Sequence, residues 1–311
     1  MKVLVSGANG FIGRALCAHL SSLGHHVVPA VRRPSGLAGE YVVVNQGAWM
    51  EALTGCDSVV HLAGRAHVMR EKEYDPLRIF REHNVKAAID LAKQAVESGV
   101  RRFVLMSTIK VNGEGTAQGL SYHPNDPPRP LDPYAISKLE AEQALQDIAN
   151  KTNLELVIIR APLVYGIGVK GNFATLVEWV SRGVPLPFGK IHNRRSMIAL
   201  DNLVSFAGLC ADTDASPKAK NKVFLVSDGD DISTTELLKR ISKAYGHKSR
   251  LLPVPAWLLR YTCRLMGQRS LADRLTGSLV VDNSAAQLIL GWHPPVTMEE
   301  QLRKMADATT A

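Results

Sequence analysis

Residues 2–24 read KVLVSGANGFIGRALCAHLSSLG. The run KVLVSG is apolar, short and closed by glycine, which marks a strand. FIGRALCAHLSSLG carries apolar residues at helical spacing and stops at Gly24, a residue suited to the left-handed position after a helix. Gly7, Gly10 and Gly13 fill the connection. Glycine there permits a tight turn and brings backbone N–H groups close to an anion resting on the helix N-terminus. A strand, a glycine turn and a helix in that order suit the pyrophosphate of a dinucleotide. Asn9, Phe11 and Ile12 lie between the glycines and complete the predicted contact surface.

The same rhythm continues outward. HHVVPAVR (25–32) and SVVHLAG (58–64) read as strands, and 80–98 as a helix stopped by Gly99. RRFVLMS (101–107) is a strand, 134–150 a helix, and LELVIIRAP (154–162) a further strand. Near-continuous apolar strands alternating with helices predict a parallel sheet covered on both faces. Residues 112–133 are rich in Pro, Gly and Asn and read as a long functional loop. After VYGIGVKGN (164–172) the pattern loosens; a helix follows, and 198–226 supplies one more helix and strand. The expected fold is α/β, a Rossmann-type doubly wound parallel sheet with a smaller mixed α/β C-terminal domain. The dinucleotide unit spans 1–166 and is joined by 198–226; the substrate unit comprises 167–197 and 227–311.

The chain has 311 residues, 46% of them hydrophobic, enough for a large core, and a net charge of +8 that favours anionic partners. Its basic residues are scattered, with three Arg-Arg pairs and no stripe, which argues against nucleic acid and for a phosphorylated small molecule. Cys17, Cys56, Cys210 and Cys263 stand apart, the pattern of a reduced, cytoplasmic protein. No His, Cys or carboxylate group has metal-ligand spacing, so no metal is expected. The N-terminus lacks a signal-peptide layout, and no apolar run approaches the ~20 residues of a membrane span. WLLRYTCRLMG (257–267), broken by Arg260 and Arg264, reads as an amphipathic helix. His61 ends a strand and reads as a buried, hydrogen-bonded residue, whereas His67 and His123 fall in loops without an identifiable partner.

PYAISKLEAEQAL (133–145) places Tyr134 four residues before Lys138, which stacks the two side chains one turn apart on a helix. An ammonium beside a phenol favours the ionised phenol, so the pair is a candidate for acid–base chemistry. PAVRRPS (29–35) lacks the acid that binds the ribose hydroxyls of NAD at the end of a second strand. Arg32 or Arg33, with Ser35, would instead clamp a 2′-phosphate, so NADP(H) is the favoured cofactor, with NAD(H) the other possibility. Arg101 and Arg102 open a strand and read as a solvated edge.

The G-x-x-G-x-x-G turn, FVLMST (103–108) and Tyr134-x-x-x-Lys138 together resemble the extended short-chain dehydrogenase/reductase family, in its branch acting on nucleotide sugars. HLAG (61–64), HNVKAAIDLA (83–92), IIRAPLVYG (158–166), RRSMIALDNL (194–203) and LGW (290–292) extend the resemblance over nearly the whole chain. It implies that Tyr134 is the acid–base residue, that Lys138 lowers its pKa and holds the nicotinamide ribose, and that Thr108 hydrogen-bonds the reacting oxygen. It also implies cofactor contacts from Leu62, Ala63, Gly64, Asn84 and Ser107, with Asn84 supporting the active-site helix. Substrate contacts fall to Asn172 and to Arg195, the latter on a nucleotide diphosphate, beside Thr108 and Tyr134. Members of the family often dimerise through helices corresponding to 83–98 and 134–150, so a homodimer is expected.

Three reactions of the family compete. Dehydratases carry an Asp-Glu pair after the catalytic threonine; here Ile109-Lys110 follows Thr108, which disfavours dehydration. The family's usual V-Y-G is Val111-Asn112-Gly113, implying a more polar sugar pocket. The missing acid after the second strand favours a reductase. STIKVNGE (107–114), VKGNF (169–173) and RLTGSLVVDNS (274–284) also resemble bacterial UDP-4-keto-6-deoxy-N-acetylhexosamine 4-reductases of surface polysaccharide (lipopolysaccharide, O-antigen) synthesis. A UDP-sugar 4-epimerase with bound NAD is the alternative, and a non-catalytic NADP-binding scaffold the minor one.

Overall fold

The strands are β1 (Lys2–Ser6), β2 (His26–Val31), β3 (Tyr41–Val42), β4 (Ser58–His61), β5 (Arg102–Thr108), β6 (Glu155–Ala161), β7 (Leu163–Tyr165), β8 (Met197–Ala199) and β9 (Lys222–Leu225). The computed structural model describes residues 1–43, 48–65, 75–266, 273 and 275–310. Among these, one sheet has the order β3-β2-β1-β4-β5-β6-β9 with every neighbouring pair parallel. The chain leaves β1 through β2 and β3 in one direction, then returns to place β4 on the other side of β1. Ligands of such sheets bind in the crevice that this reversal opens at the carboxyl ends of the strands. Gly7, Arg32, Leu62 and Thr108 all stand at those ends.

The helices are α1 (Phe11–Ser22), α2 (Met50–Leu53), α3 (Pro76–Phe80), α4 (Ala87–Glu97), α5 (Pro133–Lys151), α6 (Asn172–Ser181), α7 (Leu200–Ala211), α8 (Thr234–Ala244) and α9 (Ala256–Leu265), followed by Ser284–Leu290 and Met298–Thr310. Alternation along β1 divides the core. Val3 and Val5 pack with Leu16 and Leu20 of α1 and Phe206 of α7, while Leu4 packs with Leu53, Leu91 and Leu145 of α2, α4 and α5. Helices on both faces leave the strands no solvated side, which is why they read as unbroken apolar runs.

The helix read at 80–98 is interrupted. Asp75 caps α3 through the Arg78 N–H at 3.1 Å, and Arg81–Lys86 then form a π-helical turn before α4. β7 and β8 pair in a separate parallel ribbon. Tyr165, Phe173, Phe188, Ile241 and Leu302 form a third core cluster in the C-terminal half. The loop predicted at 112–133 runs to the Asp132 cap of α5 and is strapped to residues 278–282, with Tyr122 N–H donating to Val280 O at 2.8 Å.

Two side-chain expectations change. Arg102 is fully buried rather than solvated. Its guanidinium holds Glu155 at 2.5 Å and donates to Ser216 O (2.9 Å) and Cys210 O (3.2 Å), supplying donors to carbonyls at the end of α7. His123 gains a partner in Asp282, Nδ1 to Oδ2 at 3.0 Å. His67 lies outside the described residues.

Candidate active site

The glycine turn is shaped by packing. Gly7 has φ +72°, and a Cβ there would stand 2.8 Å from Ala63 N. A Cβ on Gly13 would stand 2.2 Å from Gly7 O, so only glycine lets α1 seat against the turn. Gly10 caps α1 without any side-chain acceptor, and the first turn holds no acid. Its N–H donors are therefore available to an anion, with Asn9 and Gly10 exposed and Phe11 and Ile12 half-buried beneath. These residues fit a dinucleotide pyrophosphate.

Residues 62–64 leave β4 alongside this turn. Leu62 N–H donates to Ser6 O at 3.1 Å. Asn84, buried in the π-helical turn, accepts from Arg65 N–H at 2.8 Å and donates to Ser137 Oγ at 2.9 Å. Ser137 in turn donates to Tyr134 O at 2.8 Å, so Asn84 joins the segment after β4 to the first turn of α5. His61 is buried, with Nδ1 2.7 Å from Ser6 Oγ and its ring 5.9 Å from Phe103. Burial, reinforced by the Lys138 charge, lowers its pKa to about 3, so it stays neutral.

Asp132 and Pro133 start α5 and set the position of Tyr134. Asp132 accepts from Ala135 N–H at 2.7 Å, and its other oxygen pairs with Lys110 Nζ. Lys110 also reaches Glu114 at 3.3 Å. The residue that replaces a dehydratase acid therefore ties the end of β5, where Thr108 Oγ1 accepts from the Lys110 N–H at 3.3 Å, to the start of α5. Tyr134 packs against Phe80, ring centres 5.9 Å apart. Lys138 is buried one turn further on.

The electrostatics differ from the simple expectation that Lys138 lowers the tyrosine pKa. Burial, aided by Asp132, pushes the Tyr134 phenol up to about 12. Burial pulls Lys138 down to about 8, against the opposing pull of Glu142. Burial disfavours the charged form of each side chain.

Sequence reasoning missed the network beneath this pair. Glu142, one turn beyond Lys138 on α5, is buried and accepts from Arg160 Nη2 at 2.6 Å and from the Ser107 hydroxyl. Ser107, predicted to face the cofactor, thus turns its hydroxyl to Glu142. Arg160 Nη1 donates to Asn112 Oδ1 at 3.0 Å, and Asn112 Nδ2 donates to His123 O at 3.3 Å. Both ends of the Asn112 amide are therefore engaged inside the protein. A signal was present: a lone arginine in the apolar strand VIIRA requires a buried partner.

At the second-strand loop, Arg32 and Arg33 are exposed beyond β2. Ser35 is engaged elsewhere: its hydroxyl donates to Glu40 Oε2 at 2.6 Å, and the N–H groups of Ser35, Gly36 and Leu37 also donate to that carboxylate. The Ser35 hydroxyl and these N–H groups hold the Glu40 carboxyl below its usual range. Residues 35–37 thus form an anion-binding concavity that Glu40 fills. Asn172 is exposed at the start of α6. Arg195 pairs its backbone with Ile232 and donates from Nη1 to Gly277 O at 3.2 Å, while Arg194 pairs with Asp231 at 3.1 Å.

The model of the NAD dependent epimerase/dehydratase family matches residues 3–224. A UDP-glucose 4-epimerase of Vibrio cholerae is 44% identical, over 99% of this chain and 95% of that protein. A UDP-2-acetamido-2,6-beta-L-arabino-hexul-4-ose reductase of Pseudomonas aeruginosa is 29% identical over 66% of this chain and 48% of its own length. A solved UDP-glucose 4-epimerase of Thermotoga maritima with UDP-glucose shares the fold, with a TM-score of 0.78 over 100% of this chain and 99% of that one at 22% identity. With the glycine turn, the strand order and the Tyr134–Lys138 helix in place, the chain belongs to the NAD dependent epimerase/dehydratase family.

Proposed function

We propose that the protein is a UDP-sugar 4-epimerase, an NAD(P)-dependent short-chain dehydrogenase/reductase acting on a nucleotide sugar. The 44% identity to a UDP-glucose 4-epimerase along nearly the full length of both chains carries this choice over the reductase preferred from sequence alone. Residues 7–13, 62–64 and Lys138 would hold the dinucleotide, whose nicotinamide supplies the acceptor and donor of the C4 hydride. As the phenolate, Tyr134 would take the proton of the C4 hydroxyl as the hydride leaves C4 and return it when the hydride comes back, with Thr108 orienting that oxygen. The Lys138 ammonium stabilises the phenolate while the proton is away. Arg195 and Asn172 are proposed to hold the UDP portion.

One observation favours the reductase as a second reading. Arg32 and Arg33 stand exposed beyond β2 with no acid beside them in sequence, a pattern suited to NADPH and to reduction of a UDP-4-keto-6-deoxy-N-acetylhexosamine for surface polysaccharide. The carboxylate of Glu40 in the neighbouring concavity weighs against it. Incubation with UDP-glucose or UDP-N-acetylglucosamine and no added reductant tests the choice. Formation of the C4 epimer supports the epimerase. Its absence, with NADPH consumed by UDP-4-keto-6-deoxy-N-acetylglucosamine, would replace it with the reductase.

We further propose a division into a dinucleotide unit, 1–166 with 198–226, and a substrate unit, 167–197 with 227–311; most of the third core cluster lies in the second unit, while Tyr165 and Ala199 join it from the first and Ala286 and Trp292 pack into the core of the first. A homodimer through α4 and α5 is likewise proposed. Free cysteines at positions 17, 56, 210 and 263 support a cytoplasmic location. No described helix is long and apolar enough to cross a membrane.

A further inference from the structure

Helix α9 reverses the usual orientation of an amphipathic helix. Ala256 and Leu259 lean on the third core cluster, and Arg260 Nε donates to Thr276 Oγ1 at 2.8 Å, which fixes one side of the helix to the body. At 3.6 residues per turn, Trp257, Leu258, Tyr261 and Leu265 share the opposite side. That side faces solvent: Trp257 is 68% exposed, Tyr261 58%, Leu265 71% and the following Met266 77%. No residue of α9 is buried. The segment before it is pinned, with Leu252 N–H donating to Leu186 O at 2.8 Å and Gly189 N–H to Leu252 O at 2.9 Å, so the helix is presented on a firm base.

Within residues 246–266 the charges have one sign. Residues 246–266 contain Lys248, Arg250, Arg260 and Arg264 and no Asp or Glu. All four basic residues are exposed. A second copy of the chain is a poor occupant, because a self-complementary contact would bring these cations together without a carboxylate from the segment. A ten-residue helix, roughly 15 Å long, also offers far less than the ~800 Å² per partner of a stable interface. It is equally too short to span the ~30 Å of a bilayer core. Trp and Tyr beside Leu and Met, flanked by arginine, is the composition that rests at a lipid headgroup boundary.

We propose that α9, with Lys248 and Arg250, docks the protein on an anionic bilayer surface. Trp257, Tyr261 and Leu265 enter the headgroup boundary, and Lys248, Arg250 and Arg264 meet lipid phosphates. This proposal is independent of the reaction assigned above.

The test is co-sedimentation of the full-length protein with vesicles of phosphatidylcholine alone or mixed with phosphatidylglycerol. Binding is expected only to the mixed vesicles, weakening as salt is raised. Trp257→Ser/Leu265→Ser should lower the partition coefficient at least about tenfold, and Arg264→Glu should weaken binding, with solution activity unchanged in both. Equal binding to both vesicle types, no binding to either, or undiminished binding by the double variant would overturn the proposal. So would a concentration-dependent dimer in sizing that the double variant dissolves, because the face would then belong to a second copy.

Discussion

Replacing Glu142 by glutamine keeps the side-chain shape and removes its charge. In the native protein Arg160 donates to both Glu142 oxygens, from Nε at 3.1 Å to each and from Nη2 at 2.6 Å. Both residues are buried, so the variant leaves an uncompensated guanidinium. Breaking a buried pair from one side costs about 3–5 kcal/mol. Glutamine still accepts one bond, which points to the lower end, about 3 kcal/mol. At roughly 2–4 °C per kcal/mol, Tm should fall by ~6–12 °C. A second effect reaches the catalytic pair. Glu142 raises the pKa of Lys138 against burial, so its loss moves that pKa below about 8. Lys138 acts as the ammonium, present below its pKa, so the alkaline limb of kcat/KM should move to lower pH. Thermal unfolding and a pH–rate profile read the two effects separately. Unfolding within about 1 °C of wild type together with an unmoved limb would refute the reasoning. Glu142→Met/Arg160→Met should recover most of the stability, because it removes both charges.

Tyr134→Phe should lower kcat by roughly 10²–10⁴-fold while leaving Tm unchanged; full turnover by the variant would exclude the phenol as the proton carrier. His61 links stability to acid. Its folded pKa of about 3 lies below the ordinary 6.5, so the unfolded chain takes up the proton first as pH falls. Stability is therefore lost between pH 6.5 and 3, up to roughly 5 kcal/mol at 1.36 kcal/mol per pH unit. Denaturant titrations across that range should show a shallower loss in His61→Gln, and parallel curves would contradict the assignment. Glu40→Ala should empty the concavity at residues 35–37 and tighten NADP⁺ binding about tenfold relative to NAD⁺; an unchanged ratio in calorimetry would mean that a 2′-phosphate does not use it.

The electrostatic details could not be read from spacing. Tyr134 and Lys138 are one turn apart in any α-helix, and their neighbourhood predicts attraction alone. Their pKa values depend on burial, to which Phe80 against the Tyr134 ring contributes, and on the charges of Asp132 and Glu142. Arg102 beside Arg101 illustrates the same limit. Two identical residues in sequence become one exposed and one fully buried, because Arg101 lies just outside β5 while Arg102 is its first residue and enters the covered sheet. Ser35 and Ser107 are cofactor contacts by position, yet the Ser35 hydroxyl is claimed by Glu40 five residues on and the Ser107 hydroxyl by Glu142 of α5.

Local chemistry determined the rest. Glycines at 7, 10 and 13, the apolar strand before them and the periodic helix after them specify a βα turn through steric freedom and hydrophobic period, which act within a few residues. The repetition of that unit made the parallel sheet legible, and Pro133 suits the start of the helix that carries Tyr134. Tertiary structure alone decided what lies beneath and around those elements. The Glu142–Arg160–Asn112 network and the Glu40-filled concavity each join residues distant in sequence or hidden within a loop. The outward apolar face of α9 became visible only once the rest of the chain had folded, since burial is a property of neighbours and not of the residue itself.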